Sequence, residues 1–249
     1  MTVPSSPVIY FFCGTDTEVG KTYCAAQWVK MRCQSGRRVG VYKPVASGCR
    51  LEANQMLADD AIRLWEAAGR PRSLAAVCSQ MFLQPLAPPS AAKAEGRSVD
   101  ESLLLEGARR WLHAKDTNHR RTENQNEQVA FSQQVNEPPI DELVVEGAGG
   151  LFSPLSDRWL NIDLLDQLRG WSLPVRTVLV AADRLGVQHQ VIATCRAAAS
   201  QQCPVDAIWL NRMPDPAFDP TLGESNRHWI GQHLSVPLVE SAEELSAIW

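Results

Sequence analysis

The sequence Gly14-Thr15-Asp16-Thr17-Glu18-Val19-Gly20-Lys21-Thr22 lies between an apolar run at residues 8–13 and a helix-compatible run at residues 23–34. A strand, a glycine-rich turn and a helix in this order are typical of a phosphate-binding loop, because backbone N–H groups of the turn and of the helix N-terminus point at phosphate oxygens. Lys21 adds a positive charge, and the Thr22 hydroxyl lies where a Mg²⁺ ligand is expected. Five residues separate Gly14 from Gly20, whereas the common pattern has about four. The sequence therefore predicts a nucleotide site on a lengthened phosphate loop.

Strands and helices alternate along the rest of the chain. Apolar periodicity predicts further strands at 39–43, 142–146, 175–181 and 205–210, and a short final strand or a turn at 236–239. It predicts helices at 20–34, 57–68, 99–113, 157–169, 186–199, 221–233 and 241–248. Residues 70–97, which are rich in Pro, Ala and Ser, are expected to be irregular. Continuous apolar strands alternating with helices indicate a parallel sheet covered by helices on both faces. We therefore expect a single α/β domain over residues 1–249.

One segment departs from this alternation. Residues 116–139 consist almost entirely of Asn, Gln, Glu, Arg, Thr and Ser. Such a composition buries too little apolar surface to offset the entropy of ordering the chain. We expect a disordered surface insertion rather than a linker between domains, because a further strand of the same sheet follows it.

Charge and cysteine content restrict the class of function. The net charge of −4 gives no reason to bind nucleic acid or an anionic membrane surface. The seven cysteines include no Cys-x-x-Cys pair, which favours reduced thiols in a cytoplasmic protein. No apolar run reaches the about 18 residues of a membrane span, and the N-terminus lacks the pattern of a secretory signal. The spacing along the chain does not match that of metal ligands for His113, His119, His228 and His233.

Polar residues follow two predicted strands, at the edge where ligands bind in open α/β sheets. Lys43 precedes the loop at 44–48, and Glu146 precedes a flexible glycine-rich turn at 147–150. A carboxylate at such a strand end can reach the Mg²⁺ of a phosphate-loop site. Asp59 and Asp60 lie in the first turn of a predicted helix, where the helix dipole alone also favours acids.

Three motifs, in this order, resemble the dethiobiotin synthetase family: residues 14–22, Tyr42-Lys43-Pro44-Val45-Ala46-Ser47-Gly48 and Val145-Glu146-Gly147-Ala148-Gly149-Gly150. The first motif alone indicates only an ATPase with a P-loop NTPase-like fold. The second narrows the resemblance, which extends from the first strand to about residue 240. It implies an ATP- and Mg²⁺-dependent ligase of biotin synthesis. Such an enzyme closes 7,8-diaminononanoate and CO₂ to a cyclic urea, through a carbamate and a carbamic–phosphoric anhydride, and is a homodimer.

The resemblance also implies roles for individual residues. Lys21 and Lys43 match the catalytic lysines, on the ATP phosphates and near the transferring phosphoryl group. The Mg²⁺ ligands would be Thr22, Asp60 and Glu146, with Asp59 open as an alternative to Asp60. The substrate-binding positions are Thr17, Glu18, Ser47 and, from the second subunit, Gly186, Val187, Gln188 and His189. The ATP-binding positions are Glu18, Val19, Gly20, Lys21, Thr22, Tyr23, Asp60, Glu146, Gly147, Ala148, Gly149, Asn211, Arg212, Val236, Pro237 and Leu238. His189 also fits a helix-capping or surface residue.

The chain departs from the family in two places, and two other functions stay open. Pro88-Pro89 stand where the family often has Pro-His, and the insertion at 116–139 has no counterpart. A regulatory or partitioning ATPase with the same sheet would usually carry a second lysine early in the loop, where Thr15 and Asp16 stand. A related amidase or synthetase domain would need an attached glutaminase domain, for which the sequence leaves no room. The ligase is therefore the first hypothesis.

Overall fold

The computed structural model describes residues 6–112, 139–212 and 220–249. The strands in chain order are β1 (Val8–Gly14), β2 (Val39–Tyr42), β3 (Arg50–Glu52), β4 (Gln55–Leu57), β5 (Glu142–Gly150), β6 (Val175–Ala182), β7 (Ala207–Asn211) and β8 (Leu238–Val239). One six-stranded sheet has the order β2-β5-β1-β6-β7-β8, and every pairing in it is parallel. The predicted parallel sheet is confirmed, and β1, which leads into the phosphate loop, lies inside it between β5 and β6.

Helices follow most strands of the sheet. They are α1 (Lys21–Gln34), α2 (Asp59–Ala67), α3 (Leu74–Val77), α4 (Pro88–Ala94), α5 (Glu101–Leu112), α6 (Asn161–Arg169), α7 (Val187–Ser200), α8 (Pro220–His233) and α9 (Ala242–Ser246). Neighbouring residues of a strand point to opposite faces of the sheet, yet Phe11 and Phe12 of β1 are both fully buried. Both faces are therefore covered, as predicted. Among the described helices, none combines the length and apolar character that crossing a membrane requires.

The region predicted to be irregular, residues 70–97, contains two short helices, so that part of the prediction is wrong. Ser73 caps α3, where its Oγ accepts a hydrogen bond from Ala76 N at 3.3 Å. Pro88 and Pro89 lie in the first turn of α4. Proline is favoured there because its fixed φ suits the helix and its missing N–H is not needed. These prolines mark a helix start rather than irregular chain.

Two further elements differ from the sequence prediction. β3 and β4 form an antiparallel hairpin before α2, with Ala53 and Asn54 at positive φ in a two-residue turn. α6 begins at Asn161 rather than at residue 157, because the chain first turns back and Leu155 N donates to Trp159 O at 2.7 Å. The predicted insertion at 116–139, apart from its last residue, lies outside the described residues.

The order of the strands determines where polar side chains meet. β1 pairs with β5 in a register that sets Phe12 opposite Glu146. β2 lies on the other side of β5 and ends one residue before Lys43. Because all three strands run in the same direction, the phosphate loop, Lys43 and Glu146 lie at the same edge of the sheet.

Candidate active site

A cavity of about 870 Å³ opens at this edge of the sheet. Its walls come from the phosphate loop, the loops after β2 and β5, the helix α2 and the end of β7. The predicted site residues that line it are Thr17, Glu18, Gly20, Lys21, Thr22, Tyr23, Lys43, Ser47, Asp60, Ala148, Gly149, Asn211 and Arg212. All three sequence motifs therefore contribute to one cavity.

The phosphate loop has the tight backbone that its glycines require. Gly20, directly before α1, has a φ of 88°. Glu18 has a φ of 55°, a left-handed conformation that is uncommon for a residue with a side chain. A Cβ atom on Gly14 would lie 2.7 Å from Asp16 O, so the loop can curl this closely only over a glycine. Lys21 Nζ donates to the same Asp16 oxygen at 2.9 Å and closes the loop.

Two neighbouring strands hold the loop in place. Thr15 N donates to Val180 O of β6 at 2.9 Å. Asn211 Nδ2, at the end of β7, donates to Val19 O at 3.0 Å, and the Asn211 side chain is buried. Asn211 therefore contacts the loop that is expected to bind phosphate. Its predicted contact with the adenine edge stays a prediction.

Lys43, Asp60, Glu146 and Thr22 form a hydrogen-bonded cluster in the wall of the cavity, called the lysine–carboxylate cluster below. Lys43 Nζ donates to Glu146 Oε1 at 2.6 Å and to Asp60 Oδ2 at 2.9 Å. Thr22 Oγ1 donates to the same Glu146 oxygen at 2.8 Å. Glu146 is 0% exposed and Lys43 only 3%. Residues from three separate motifs and from α2 are thus in direct contact.

The electrostatics of the cluster follow from burial and charge. Burial lowers the pKa of Lys43, but Glu146 and Asp60 outweigh burial and hold that pKa above its usual value. The Lys43 ammonium lowers the pKa of Asp60 to about 2. Burial raises the pKa of Glu146, against the opposing effect of Lys43. Burial, followed by the charge of Lys43, lowers the pKa of Lys21. The charged form of Glu146 therefore depends on a cation in contact with it.

The oxygen atoms of the cluster fit Mg²⁺. Mg²⁺ is usually bound through a hydroxyl and one or two carboxylates, with substrate phosphates and water completing the shell. Thr22, Asp60 and Glu146 offer that set of ligands. Glu146 Oε2 is buried without a hydrogen-bond partner among the described residues, so one carboxylate oxygen is left for a cation. Within the described parts of the chain, no cluster of three or more His, Cys, Asp or Glu could hold a metal alone. Phosphate oxygens would therefore be needed.

The geometry distinguishes the two neighbouring acids of α2. Asp59 Oδ1 accepts a hydrogen bond from Arg50 Nε at 2.9 Å, in an exposed pair. Asp60 lines the cavity and contacts Lys43. This arrangement supports Asp60 rather than Asp59 as a metal ligand.

The glycine-rich segment after Glu146 continues strand β5 to Gly150, so the predicted flexible turn at 147–150 is wrong. Asn161, which the sequence prediction missed, holds this segment. Asn161 Oδ1 accepts from Ala148 N at 3.0 Å, and its Nδ2 donates to Ala148 O at 2.7 Å and to Gly150 O at 2.8 Å. A Cβ atom on Gly147 would lie 2.4 Å from Asn161 Oδ1. Gly147 is thus needed for the approach of an asparagine rather than of a ligand. A lone Asn before an apolar helix carries no motif that could have identified it.

Several predicted residues do not line this cavity. Val19, Glu146 and Gly147 are buried outside the lining, although Glu146 contacts the lining residues Thr22 and Lys43. The positions from the predicted second subunit, Gly186, Val187, Gln188 and His189, form the start of α7 outside it. Val236, Pro237 and Leu238 lie beside β7, where Pro237 O accepts from Ile208 N at 2.9 Å. The roles of these residues stay predictions.

Other residues line the cavity without having been predicted as site residues. Arg63 lies one turn after Asp60 on α2, and Ala46 precedes Ser47. The remainder of this wall is formed by Pro85, Leu86, Ala87, Pro88, Ser153 and Pro154. The segment 85–88 gives one side of the cavity an apolar surface. Pro88 belongs to the pair that departs from the family's Pro-His, whereas no sequence signal marked residues 85–87 as part of a site.

Comparisons with known proteins agree with this geometry. The family described as "AAA domain" matches residues 9–247. The ATP-dependent dethiobiotin synthetase BioD of Rhodopirellula baltica is 44% identical, over 96% of this chain and 85% of the relative. The BioD of Phenylobacterium zucineum is 29% identical, over 96% of this chain and 91% of the relative.

One solved structure that is similar to this chain is distant in sequence. The signal recognition particle receptor FtsY of Elizabethkingia anophelis aligns with 98% of this chain and 62% of its own chain, at a TM-score of 0.43 and 16% identity. The family match and the sheet topology together identify a P-loop NTPase-like α/β fold. Since the BioD relative of Rhodopirellula is 44% identical over nearly the whole chain, the chain belongs to the ATP-dependent dethiobiotin synthetase family.

Proposed function

We propose that this protein uses ATP to close 7,8-diaminononanoate and CO₂ to dethiobiotin in biotin synthesis. The observation that carries the proposal is the contact of Lys43 with Glu146 and Asp60, beside a phosphate loop and within one cavity. A nucleotide-hydrolysing switch needs the phosphate loop but not a second buried lysine from the next strand. A reaction that joins two anionic reactants does need it, because their repulsion is strong in a site of low dielectric.

The reaction we propose has three steps. One amine of the diamine attacks CO₂ and loses a proton, which gives a carbamate. A carbamate oxygen attacks the γ-phosphorus of ATP, and the bond to the bridging oxygen breaks to release ADP. The second amine then attacks the carbonyl carbon of the mixed anhydride and loses a proton, the C–O bond to phosphate breaks, and phosphate leaves with the ring closed.

The residues of the cavity divide between the two reactants. The loop residues Gly20, Lys21 and Thr22 would bind the triphosphate, since they combine backbone N–H groups with a positive charge. Thr17, Glu18 and Ser47 would contact the diamine, and the Glu18 carboxylate would balance an ammonium of the substrate. Lys43 would stabilise the negative charge of the carbamate and the transferring phosphoryl group.

Mg²⁺ belongs to the same proposal. Thr22, Asp60 and Glu146 would hold it, and it would neutralise phosphate charge during transfer. The adenine would lie near Asn211 and Arg212, with Val236, Pro237 and Leu238 beside the base. Val19, Tyr23, Gly147, Ala148 and Gly149 complete the proposed nucleotide site.

We further propose a homodimer in which the start of α7 binds the carboxylate of the substrate in the partner's cavity. Helix N-termini favour anions, and Gly186 to His189 lie at the start of α7 but outside this chain's own cavity. All seven cysteines are free thiols, which suits a reducing compartment such as the cytoplasm. Light scattering tests the dimer, because a strictly monomeric active enzyme would exclude a site shared between subunits.

Phosphate release from ATP, measured with and without the diamine and bicarbonate, tests the reaction. We expect release to depend on both co-substrates and to match the dethiobiotin formed. Lys43→Ala should lower synthesis by about 10²- to 10³-fold, the size of effect seen when one transition-state contact is removed. Nucleotide affinity should change little.

The matched control is Lys30→Ala, which removes an exposed lysine of α1 far along the helix from the loop. Phosphate release without the diamine would contradict the ligase. Loss of nucleotide binding in Lys43→Ala would instead show that Lys43 serves ATP rather than the carbamate.

A further inference from the structure

Lys43 has no hydrogen available for a substrate in the arrangement that the structure shows. An ammonium group has three N–H donors. Lys43 Nζ directs them at Glu146 Oε1 (2.6 Å), Asp60 Oδ2 (2.9 Å) and, at a longer distance, Gly147 O (3.4 Å). If Lys43 is to contact an anion in the cavity, it must therefore release at least one of these acceptors.

Releasing Glu146 is the difficult step. Its carboxylate is 0% exposed, and Thr22 Oγ1 is its other hydrogen-bond donor. A buried carboxylate that loses its cationic partner is strongly destabilised, because its negative charge is then stabilised neither by a cation nor by solvent. Lys21 is not in contact with Glu146 in this arrangement, and its ammonium donates to Asp16 O. Lys43 can leave Glu146 only if another cation takes its position.

The ligands around Lys43 suit one kind of replacement. Glu146 Oε2 has no partner within the described chain, and Thr22 and Asp60 lie beside it. Hydroxyl and carboxylate oxygens are hard ligands of the kind that a small divalent cation prefers. Such a cation would supply the charge that Glu146 needs without a lysine in contact.

We propose that Lys43 and a divalent cation occupy the Glu146–Asp60 carboxylate pair in turn, so that loading the cation releases the Lys43 ammonium into the cavity. This inference rests on the metal ligands of the proposed function. It orders the reaction, because Lys43 reaches the carbamate only after the metal has been bound. In a metal-free site, a reactant would meet a Lys43 ammonium whose positive charge is already balanced by Glu146 and Asp60.

An alternative arrangement of Lys43 and the cation predicts the opposite effect of removing Lys43 on metal affinity. Lys43 could hold both carboxylates permanently, each through one oxygen, while the second oxygens bind the cation. Lys43 would then support the metal site, and removing it would weaken metal binding. In our proposal Lys43 competes with the metal, and removing it strengthens metal binding.

The first experiment uses the wild-type chain. An amine-acylating reagent is applied at increasing Mn²⁺, with ionic strength kept constant by NaCl, and peptide mass spectrometry follows each lysine. We expect acylation of Lys43 to accelerate several-fold as Mn²⁺ binds, while the exposed Lys30 reacts at a constant rate. An unchanged or slower reaction of Lys43 would overturn the proposal.

The second experiment compares two variants that each remove one positive charge from the cavity. Mn²⁺ affinity without nucleotide, measured by electron paramagnetic resonance, should rise about tenfold or more in Lys43→Met. In Lys21→Met it should rise much less, because Lys21 does not contact the carboxylates. Equal gains would mean that only overall charge matters, and a loss in Lys43→Met would mean that Lys43 supports the site. Either result overturns the proposal.

Neither experiment requires the diamine or turnover. A chain that exchanges Lys43 for Mn²⁺ but makes no dethiobiotin would contradict only the proposed function. A chain that makes dethiobiotin with Lys43 equally protected at all Mn²⁺ concentrations would contradict only the exchange.

Discussion

Strand β5 carries two buried glutamates four residues apart, Glu142 and Glu146, and their surroundings differ. Arg32 Nε lies 3.0 Å from both oxygens of Glu142, and Arg32 Nη2 also donates to it. Thr22 and Lys43 both donate hydrogen bonds to Oε1 of Glu146, and Oε2 of Glu146 has no hydrogen-bond partner among the described residues. The same residue type is therefore satisfied at one end of the strand and left incomplete at the other.

The difference separates a structural ion pair from a ligand site. A planar guanidinium can contact both oxygens of a carboxylate at once, and Arg32 leaves neither oxygen of Glu142 without a partner. An ammonium bonds as a point charge without this two-point match, so another cation can take its place on the carboxylate. We therefore expect changes at Glu146 to affect activity and changes at Glu142 to affect stability.

The largest expected effect is the loss of activity in Glu146→Gln. The amide keeps the shape but loses the charge that holds Lys43 and the metal, so kcat/KM for dethiobiotin formation should fall by about 10²- to 10³-fold. Glu142→Gln is the matched control, and its activity per folded molecule should change by less than about twofold. Steady-state assays of both variants at saturating Mg²⁺ measure this difference. Similar activities in the two variants would remove the distinction between the two ends of β5.

Arg32→Met tests the structural end of the strand. It leaves Glu142, whose side chain is 4% exposed, without its main partner, although Arg37 Nε lies 3.8 Å away. Breaking a buried pair in this way destabilises the fold by about 3 kcal/mol, or about 6–12 °C in Tm for a chain of this size. Urea unfolding followed by tryptophan fluorescence measures the free energy.

Arg70→Met is the matched control for Arg32→Met. Both arginines lie over a tryptophan ring and pair with a glutamate, but Arg70 and Glu66 are exposed. The control should lose less than about 1 kcal/mol. If both variants lost the same free energy, the burial of Glu142 would not be what makes its ion pair important.

The smallest expected effect concerns acid stability. Lys43 lowers the pKa of Asp60 to about 2, below its unfolded value of 3.8. The stability that Asp60 contributes is therefore fully present above about pH 4 and is lost as the pH falls towards about 2. In Asp60→Asn, the free energy of unfolding should fall less steeply between these pH values. Asp59→Asn, which removes a carboxylate of an exposed ion pair instead, is the matched control. A wild-type slope in Asp60→Asn would mean that the Lys43–Asp60 contact does not stabilise the fold.

Much of the fold follows from sequence patterns. The phosphate loop and the continuous apolar strands predict a parallel sheet because both depend on local spacing. The hairpin of β3 and β4 could not be predicted in the same way, since its strands have three residues each and expose most of their side chains. The helix α4 was missed because its first-turn prolines also occur in irregular chain.

The site was predictable where a motif carried it. Lys43, Asp60 and Glu146 come together because they follow strands or begin a helix at one edge of the sheet. Asn161 and residues 85–87 were missed, since their roles depend on tertiary contacts without a local pattern. The pairing of Lys43 with both carboxylates could be recognised only from interatomic distances, because the sequence shows only that the charged residues are present.

The hydrogen bond from Asn211 to Val19 joins residues 192 positions apart, so the phosphate loop can be fully anchored only late in synthesis of the chain. A ribosome adds about 5–20 residues per second, so about 10–40 s pass between synthesis of the loop and synthesis of its last anchor. β1 also waits for both of its partner strands, β5 and β6. Nucleotide therefore meets a complete loop only after most of the chain has been made, and ATP cannot act as a template for the first half of the fold.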